Sequence, residues 1–405
     1  MTAKQLGLLG ATAVATALVL AACGADPTPT PEPTSTPLPQ ATPTPDEAAR
    51  FQAEWDALIE AAQAEGDLTM SFGGQASENY RPLVEFFEEK FGIKVVTTTG
   101  SGSASANRVL AERAAGQYLV DVIFGGVTSS NTRLVPANAL DPIAELFVHP
   151  EVTDKSLWFQ GRYWYSDAPQ KFVFTFAAGA SPMNMSMRYN TDLVTEADIE
   201  AMSSVFDFLD PKWKGKIASL GPGEGGSGTW FEAYVHPDIG TEWIDGFFAP
   251  ELDVTFFSDV RLVVDGVAKG KFAMVIAGGS AGGTLDSLAS LGAPAKELVK
   301  EFKEGGAIRG NQNQIMVPTN QPHPNAAKLW VNWFLGKEGQ TLQMTDAVTI
   351  PGPTLREDLT DFGKTRAHER RDPGRSYYFF TADPELVARR TEALDYVKAV
   401  YESTR

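Results

Sequence analysis

The chain is poor in the side chains that most enzymes and metal proteins depend on. It has one cysteine, Cys23, in 405 residues, so no disulfide can form within it. It has four histidines, His149, His236, His323 and His368. None stands at metal-ligand spacing from a cysteine or another histidine, and three sit beside proline, where loop and cap roles are the ordinary expectation. No G-x-x-x-x-G-K-[ST] segment occurs, which excludes a nucleoside-triphosphate P-loop. Basic residues are outnumbered, 34 against 51 acidic, for a net charge of −17. Nucleic-acid binding wants the opposite balance and is excluded as a partner class.

What is present begins at the front. Lys4 precedes an uncharged Ala/Leu-rich run, Leu6–Ala22, that is short for a membrane span. Residues 1–22 are expected to be a secretion signal. The run ends in Leu20-Ala21-Ala22-Cys23, which resembles a bacterial lipobox, and Cys23 is then the lipidated residue. Residues 23–46 carry repeated Pro and Thr. Proline favours extended polyproline II, so this stretch reads as a semi-rigid spacer. Lipid and stalk describe an extracytoplasmic protein, in the periplasm or at the cell surface, tethered to a membrane.

Beyond residue 46 strand and helix patterns alternate. A helix headed by Asp46 carries Phe51, Trp55, Leu58, Ile59 and Ala62 at helical spacing, and Gly66 follows it. Strands are expected at Leu68–Phe72, Ile93–Thr98 and Val120–Phe124, with helices from Ser77 and Ser103 between them. The region 130–146 reads as a helix, and Asn184–Tyr189 as a strand. Later come a strand at Lys216–Leu220, a helix capped by Ser258, strands at Phe272–Ala277 and Gln314–Val317, and a helical tail near Pro384–Tyr401. The alternation predicts an α/β fold on parallel sheets. The length allows two domains with cores of their own.

Five strand ends run into Gly/Ser/Thr-rich loops: Gly73–Ser77, Gly100–Ala106, Gly125–Asn131, Gly221–Thr229 and Gly278–Thr284. Open α/β sheets bind ligands at such ends. The five loops hold a single charged residue, Glu224. Acid–base and nucleophilic catalysis need a titratable partner within reach. These loops offer amides and hydroxyls, which suit reversible capture of a polar or anionic molecule. The glycine loop before Thr229, set between a strand and a helix, is the anion cradle of the group. The competing reading is Gly278-Gly279-Ser280-Ala281-Gly282, which matches G-x-S-x-G. A secreted hydrolase using Ser280 would then need Asp346 or Asp358 and His323 or His368. Arg309 is either near the cleft, if the chain crosses there, or an exposed charge.

Several segments carry a resemblance. They include Phe86-Phe87-Glu88-Glu89-Lys90-Phe91-Gly92, Ala111-Glu112-Arg113-Ala114-Ala115-Gly116 and Tyr189-Asn190-Thr191-Asp192-Leu193. Leu209-Asp210-Pro211-Lys212-Trp213-Lys214-Gly215, His323-Pro324-Asn325-Ala326-Ala327-Lys328 and Gly336-Lys337-Glu338-Gly339-Gln340 follow. In this order they resemble the extracellular solute-binding proteins of ABC importers, in the branch that includes ferric-iron-binding proteins. The resemblance implies a two-lobed periplasmic-binding-protein-like (type II) fold with a hinge and an interlobe cleft. Lobe 1 is then 47–178 and 312–352, and lobe 2 is 179–311 and 353–405. It implies a monomer that meets an ABC permease and ATPase, carries no cofactor and is not an enzyme. The iron branch holds its metal with a histidine, a glutamate and two adjacent tyrosines. The matching positions here are Ala76, Gly126, Ser280 and Ala281, so no metal ligand is assigned, and ferric iron with an accompanying anion stays the alternative ligand. The expected binding set is Gly74, Gln75, Ser101, Gly102, Ser103, Gly126, Gly226, Ser227, Gly228, Thr229, Gly279, Ser280 and Arg309, around a small anionic solute.

Overall fold

The computed structural model describes residues 45–404 apart from 74–75, 225–226, 311–312, 348–351, 361–362, 373–374 and 376. Cys23, the signal and all but the end of the spacer lie outside these residues. The chain divides into two units, 1–49 and 50–405. Of the first, only the exposed opening of α1 (Pro45–Glu65) is described. Among the described residues no helix is long and apolar enough to cross a membrane.

The second unit continues with β1 (Asp67–Gly73), α2 (Ala76–Phe91), β2 (Lys94–Gly100), α3 (Gly102–Ala114) and β3 (Val122–Gly125). Each of these strands is parallel to a neighbour, in the order β2-β1-β3. The helix expected over 130–146 is not formed. A single turn, α4 (Val127–Ser129), passes into a π-helical turn at Ser130–Leu134. Ser130 donates its hydroxyl to the Gly126 carbonyl at 3.0 Å, and Asn138 at φ 49° ends the turn. β4 (Leu140–Asp141), α5 (Pro150–Thr153) and β5 (Phe174–Thr175) complete this stretch.

The chain then crosses through β6 (Gly179–Pro182) into a second sheet beginning at β7 (Arg188–Asn190). The expected strand at Asn184–Tyr189 is therefore mostly a turn. Asn184 Oδ1 accepts from the Ser186 amide at 3.1 Å, and Met185 and Ser186 take positive φ. Asparagine side chains compete with strand pairing in this way. α6 (Glu196–Ala201), β8 (Ile217–Leu220), α7 (Ser227–Val235), α8 (Gly240–Phe248) and β9 (Thr255–Phe257) follow. Next come α9 (Val260–Ala268), β10 (Met274–Val275), α10 (Ala281–Ala289) and β11 (Ala295–Glu297). Asp259, not Ser258, caps α9, its carboxylate accepting from the Arg261 amide at 2.8 Å. The strand order is β11-β7-β10-β8-β9.

The return runs through β12 (Gly306–Arg309), which pairs antiparallel with β6, into β13 (Gln314–Pro318) on the first sheet. So neither sheet is wholly parallel. β13 is antiparallel to β3, and β7 to β10. The exceptions are the strands that carry the chain out of one sheet and back into the other. α11 (Pro324–Leu335) and α12 (Lys337–Thr345) cover the first sheet, whose core holds Phe72, Phe87, Phe124, Trp330 and Phe334. Burying each such ring contributes about 1.5–3 kcal/mol. A separate core holds Trp230, Trp243, Ile244, Phe247 and Phe208 beside the second sheet.

The tail crosses a third time. The expected change to lobe 2 after residue 352 comes later, because Thr354 bridges Ala177 and Arg356 bridges Trp158 on the first-sheet side. Arg356 also donates to the Glu151 carbonyl at 2.7 Å. Tyr378 bridges Ala307 on β12, Phe379 enters the first core and Phe380 the second. α13 (Pro384–Ala388) and α14 (Arg390–Ser403) finish the chain, with α14 against α7 and α8.

Candidate functional site

β1, β2 and β3 are parallel, so their carboxyl ends fall together. Gly73 pairs in register with Gly100, and a side chain on Gly73 would meet the Gly125 and Gly102 backbones at 3.4 and 3.6 Å. At Gly102 a β-carbon would lie 2.9 Å from Ser129 Oγ. Glycine there lets the start of α3 approach α4. From the second sheet, β8 leads to α7, where Gly228 faces open space. Between these ends lies a cavity of about 340 Å³. Gly73, Gly102 and Gly126–Ser129 line it from the first sheet, and Gly228 and Glu232 from α7. Arg309 on β12, with Thr381 and Arg390 on the tail, supplies the rest.

Among the described residues three charged side chains line this cavity, two arginines and one glutamate, for one net positive charge in a chain of net charge −17. Arg309 and Glu232 are spent on each other. Arg309 Nε donates to both Glu232 oxygens at 3.0 Å and Nη2 to Oε2 at 2.5 Å, while Nη1 donates to Ser181 Oγ at 2.5 Å. The side chains are 14% and 6% exposed. Burial disfavours the guanidinium charge, but the Glu232 carboxylate more than offsets this and holds its pKa above the usual arginine value. Arg390 has no carboxylate partner among the described residues. Its Nη2 donates to Thr128 Oγ1 at 3.1 Å, its guanidinium lies 5.0 Å from the Phe231 ring centroid, and its Nε is buried without a partner. Burial pushes its pKa down, with Glu232 opposing.

A second cavity of about 190 Å³ lies on Arg309 as well. Gly279, Gly282 and Gly283 at the head of α10 line it, with Ser181, Arg188, Glu297, Arg366, His368 and Glu369. Its charges are largely paired: Arg188 holds Glu297 at 3.1 Å and Asp286 at 2.8 Å, and Arg366 holds Glu369.

Of the expected binding residues, Gly102, Gly126, Gly228 and Arg309 meet at the first cavity, and Gly279 reaches only the second. Ser101 caps α3, its Oγ accepting from the Ala104 amide at 3.2 Å. Ser103 Oγ stands 3.5 Å from Ser129 Oγ. Thr229 is buried against Ser186, 3.4 Å between hydroxyl oxygens, and is not a lining residue. Gly74, Gln75 and Gly226 lie outside the described residues, as does the side chain of Ser227. Glu232, Thr381 and Arg390 were missed. Glu232 stands four residues after Gly228, one helical turn on the same face, and that spacing could have found it. Nothing local marks Arg390, which reaches the cavity only because α14 packs on α7.

The Ser280 triad is not assembled. Ser280 is exposed at the start of α10, and its hydroxyl bonds no histidine or carboxylate among the described residues. His323 is held by Asp121 at 2.9 Å and His236 by the Glu304 carbonyl at 3.0 Å. His149 packs on Phe51 and Trp55, and His368 stands 4.0 Å from Glu297. Among the described residues no three His, Cys, Asp or Glu side chains converge on a metal position.

Solved structures with this architecture are two-lobed type II periplasmic binding proteins. AfuA of Actinobacillus pleuropneumoniae, solved with fructose-6-phosphate, is 15% identical with a TM-score of 0.57, over 83% of this chain and 99% of that one. Ferric ion-binding protein A of Pasteurella haemolytica, in its apo form, is 17% identical with a TM-score of 0.56, over 83% and 98%. Iron-bound HitA of Pseudomonas aeruginosa is 18% identical with a TM-score of 0.52, over 82% and 99%. The family profile of bacterial extracellular solute-binding proteins matches residues 73–341, and the chain belongs to that family.

Proposed function

We propose that this protein is the lipid-anchored receptor of an ABC importer and captures a small anionic solute between its two lobes. One observation carries the reading of the ligand. The cavity where both sheets' loops meet the crossing strand has a single net positive charge, on Arg390, once Arg309 and Glu232 cancel. A cavity of that sign, walled by glycine loops, suits a carboxylate, phosphate, phosphonate or sulfonate. Closure would hinge at the β6–β12 pair, which joins the sheets. The closed, loaded lobes would then present their surfaces to the permease and its ATPase. Cys23 and the Pro/Thr-rich spacer support the anchored, extracytoplasmic placement.

Ferric iron, the cargo named for two of the structural relatives, fits less well. Gly126, Ser280 and Ala281 offer no carboxylate, phenolate or imidazole to a hard trivalent cation. Among the described residues the one carboxylate that lines the cavity is already committed to Arg309, which favours capture over chemistry on the solute.

A thermal-shift screen of anionic, neutral and cationic solutes, with ferric citrate included, tests the reading. An anionic ligand at 100 times its Kd should stabilise the protein by about 2.7 kcal/mol. Stabilisation by neutral or cationic solutes alone, or by iron, would sink it. Cys23→Ser should move the protein from the membrane to the soluble fraction. Retention on the membrane would contradict the lipid anchor.

A further inference from the structure

We propose that Arg309 is a partition that sets the size of the solute. Clamped by Glu232 and Ser181, it closes the first cavity off from the second, so the receptor takes a small hydroxylated acid and rejects its longer relatives. This rests on the importer-receptor reading and adds the size and charge of what that receptor accepts. Among the described residues Arg309 alone lines both cavities. Glu232 lines only the first and Ser181 only the second. The guanidinium joins them: Nε and Nη2 donate to the Glu232 carboxylate, and Nη1 donates to Ser181 Oγ at 2.5 Å. Its two edges therefore face opposite ways, and the planar group stands between the cavities.

Stability alone does not account for such a pair, because a buried ion pair adds little over apolar side chains of the same volume. A boundary between two polar cavities has a different requirement: polar atoms on both faces, held in one place. Four contacts hold the Arg309 guanidinium, all of them to protein groups. Arg309 lies on β12, and Ser181 on β6 is in register with Ala307, two residues along the same strand. The partition is thus built on the strand pair that joins the sheets. It leaves the solute the first cavity only. At about 340 Å³ this is near the small end of ligand pockets, which run about 300–1,000 Å³. The hydroxyls of Thr128 and Ser129 suit a hydroxylated chain, and one net positive charge suits one carboxylate. Beyond the partition the second cavity, of about 190 Å³, is polar too, with Asn184, Arg188 and Glu297 on its wall. A longer hydroxylated chain would find partners there if Arg309 did not stand in the way. The exclusion is steric, a repulsive element of the kind by which binding sites discriminate.

The test is isothermal titration of the full-length protein with glycerate, gluconate and lactobionate, which carry one carboxylate on hydroxylated chains of increasing length. Glycerate or gluconate should bind wild type, and lactobionate about 30-fold more weakly or not at all. E232Q/R309S removes the partition without changing net charge, and should bring lactobionate to within about 3-fold of the better small acid. Two glycines test the same point with the partition intact. A β-carbon on Gly228, at the first cavity, or on Gly283, at the second, would meet no atom within 4 Å, and neither glycine takes a positive φ. G228F should weaken binding of the small acid about 10- to 100-fold, and G283F should leave it unchanged. Lactobionate as tight as the small acids in wild type overturns the partition and leaves the anionic reading standing. Equal losses in G228F and G283F put the solute in both cavities and overturn it too. So does a wild-type preference that survives in E232Q/R309S, and the glycine pair decides the matter if that double variant does not fold. Failure of all three probes to bind wild type overturns the partition's ligand class together with the anionic reading of the cleft.

Discussion

Glu232→Ala should be among the most damaging single changes at the cavity. The substitution strands Arg309, whose guanidinium gives three of its hydrogen-bond contacts to the two Glu232 oxygens and a fourth to Ser181. The arginine is 14% exposed and the glutamate 6%, so water can rescue little of the lost interaction. Removing one member of a buried pair costs about 3–5 kcal/mol, chiefly because the other charge is left uncompensated. The pair also ties α7 to β12, so the loss falls on the joint between the second lobe and the crossing strands. Urea unfolding followed by tryptophan fluorescence is a suitable assay, since Trp230 lies on α7 and is fully buried. The midpoint should fall by an amount equivalent to about 4 kcal/mol. The double variant E232L/R309M removes both charges and should recover to within about 1 kcal/mol of wild type. A loss below about 1 kcal/mol in E232A would refute the claim that this pair is desolvated and interlocked. So would a double variant no more stable than E232A.

Two further predictions concern the frame around the cavity. Burial lowers the pKa values of His149 and His236 below the ordinary 6.5, with Glu151 and the Glu304 carbonyl acting in the opposite direction. The unfolded chain therefore binds more protons than the folded one below about pH 6.5, so stability is full above that pH and falls as pH drops through it. Urea titrations across the interval should show this slope, and His236→Gln should reduce it; an unchanged slope in that variant would contradict the assignment. Asp121→Ala should cost about 3 kcal/mol. Asp121 is fully buried and accepts from the Thr69 amide at 2.7 Å, the His323 amide at 2.7 Å and His323 Nδ1 at 2.9 Å. Chemical denaturation checks it, and a cost under about 1 kcal/mol would mean that these donors find water instead.

The elements that sequence made legible are those with local causes. β1, β2 and β3 announce themselves through apolar and β-branched runs closed by glycine, and the cavity does lie at their carboxyl ends. The strand misread at Asn184 failed for a local reason too, a side chain that bonds its own backbone. The site was legible only in its glycines and in Arg309. A glycine loop shows where a ligand can approach, but not which charge it will meet. That charge comes from Arg390, 162 residues after Gly228 in the sequence, through packing of α14 on α7 that no local pattern encodes. The Thr229 and Ser101 hydroxyls are engaged by a neighbour and a helix end, because a hydroxyl near a loop can serve either as readily as a ligand.

The most direct measurement is a crystal structure of the protein with the tightest anion from the screen. The anionic head is expected in the cavity bounded by Gly102, Gly126 and Gly228, with its charge facing the Arg390 guanidinium. A ligand seated instead at the Gly279–Glu369 cavity, or one whose charged group faces away from Arg390, would contradict it.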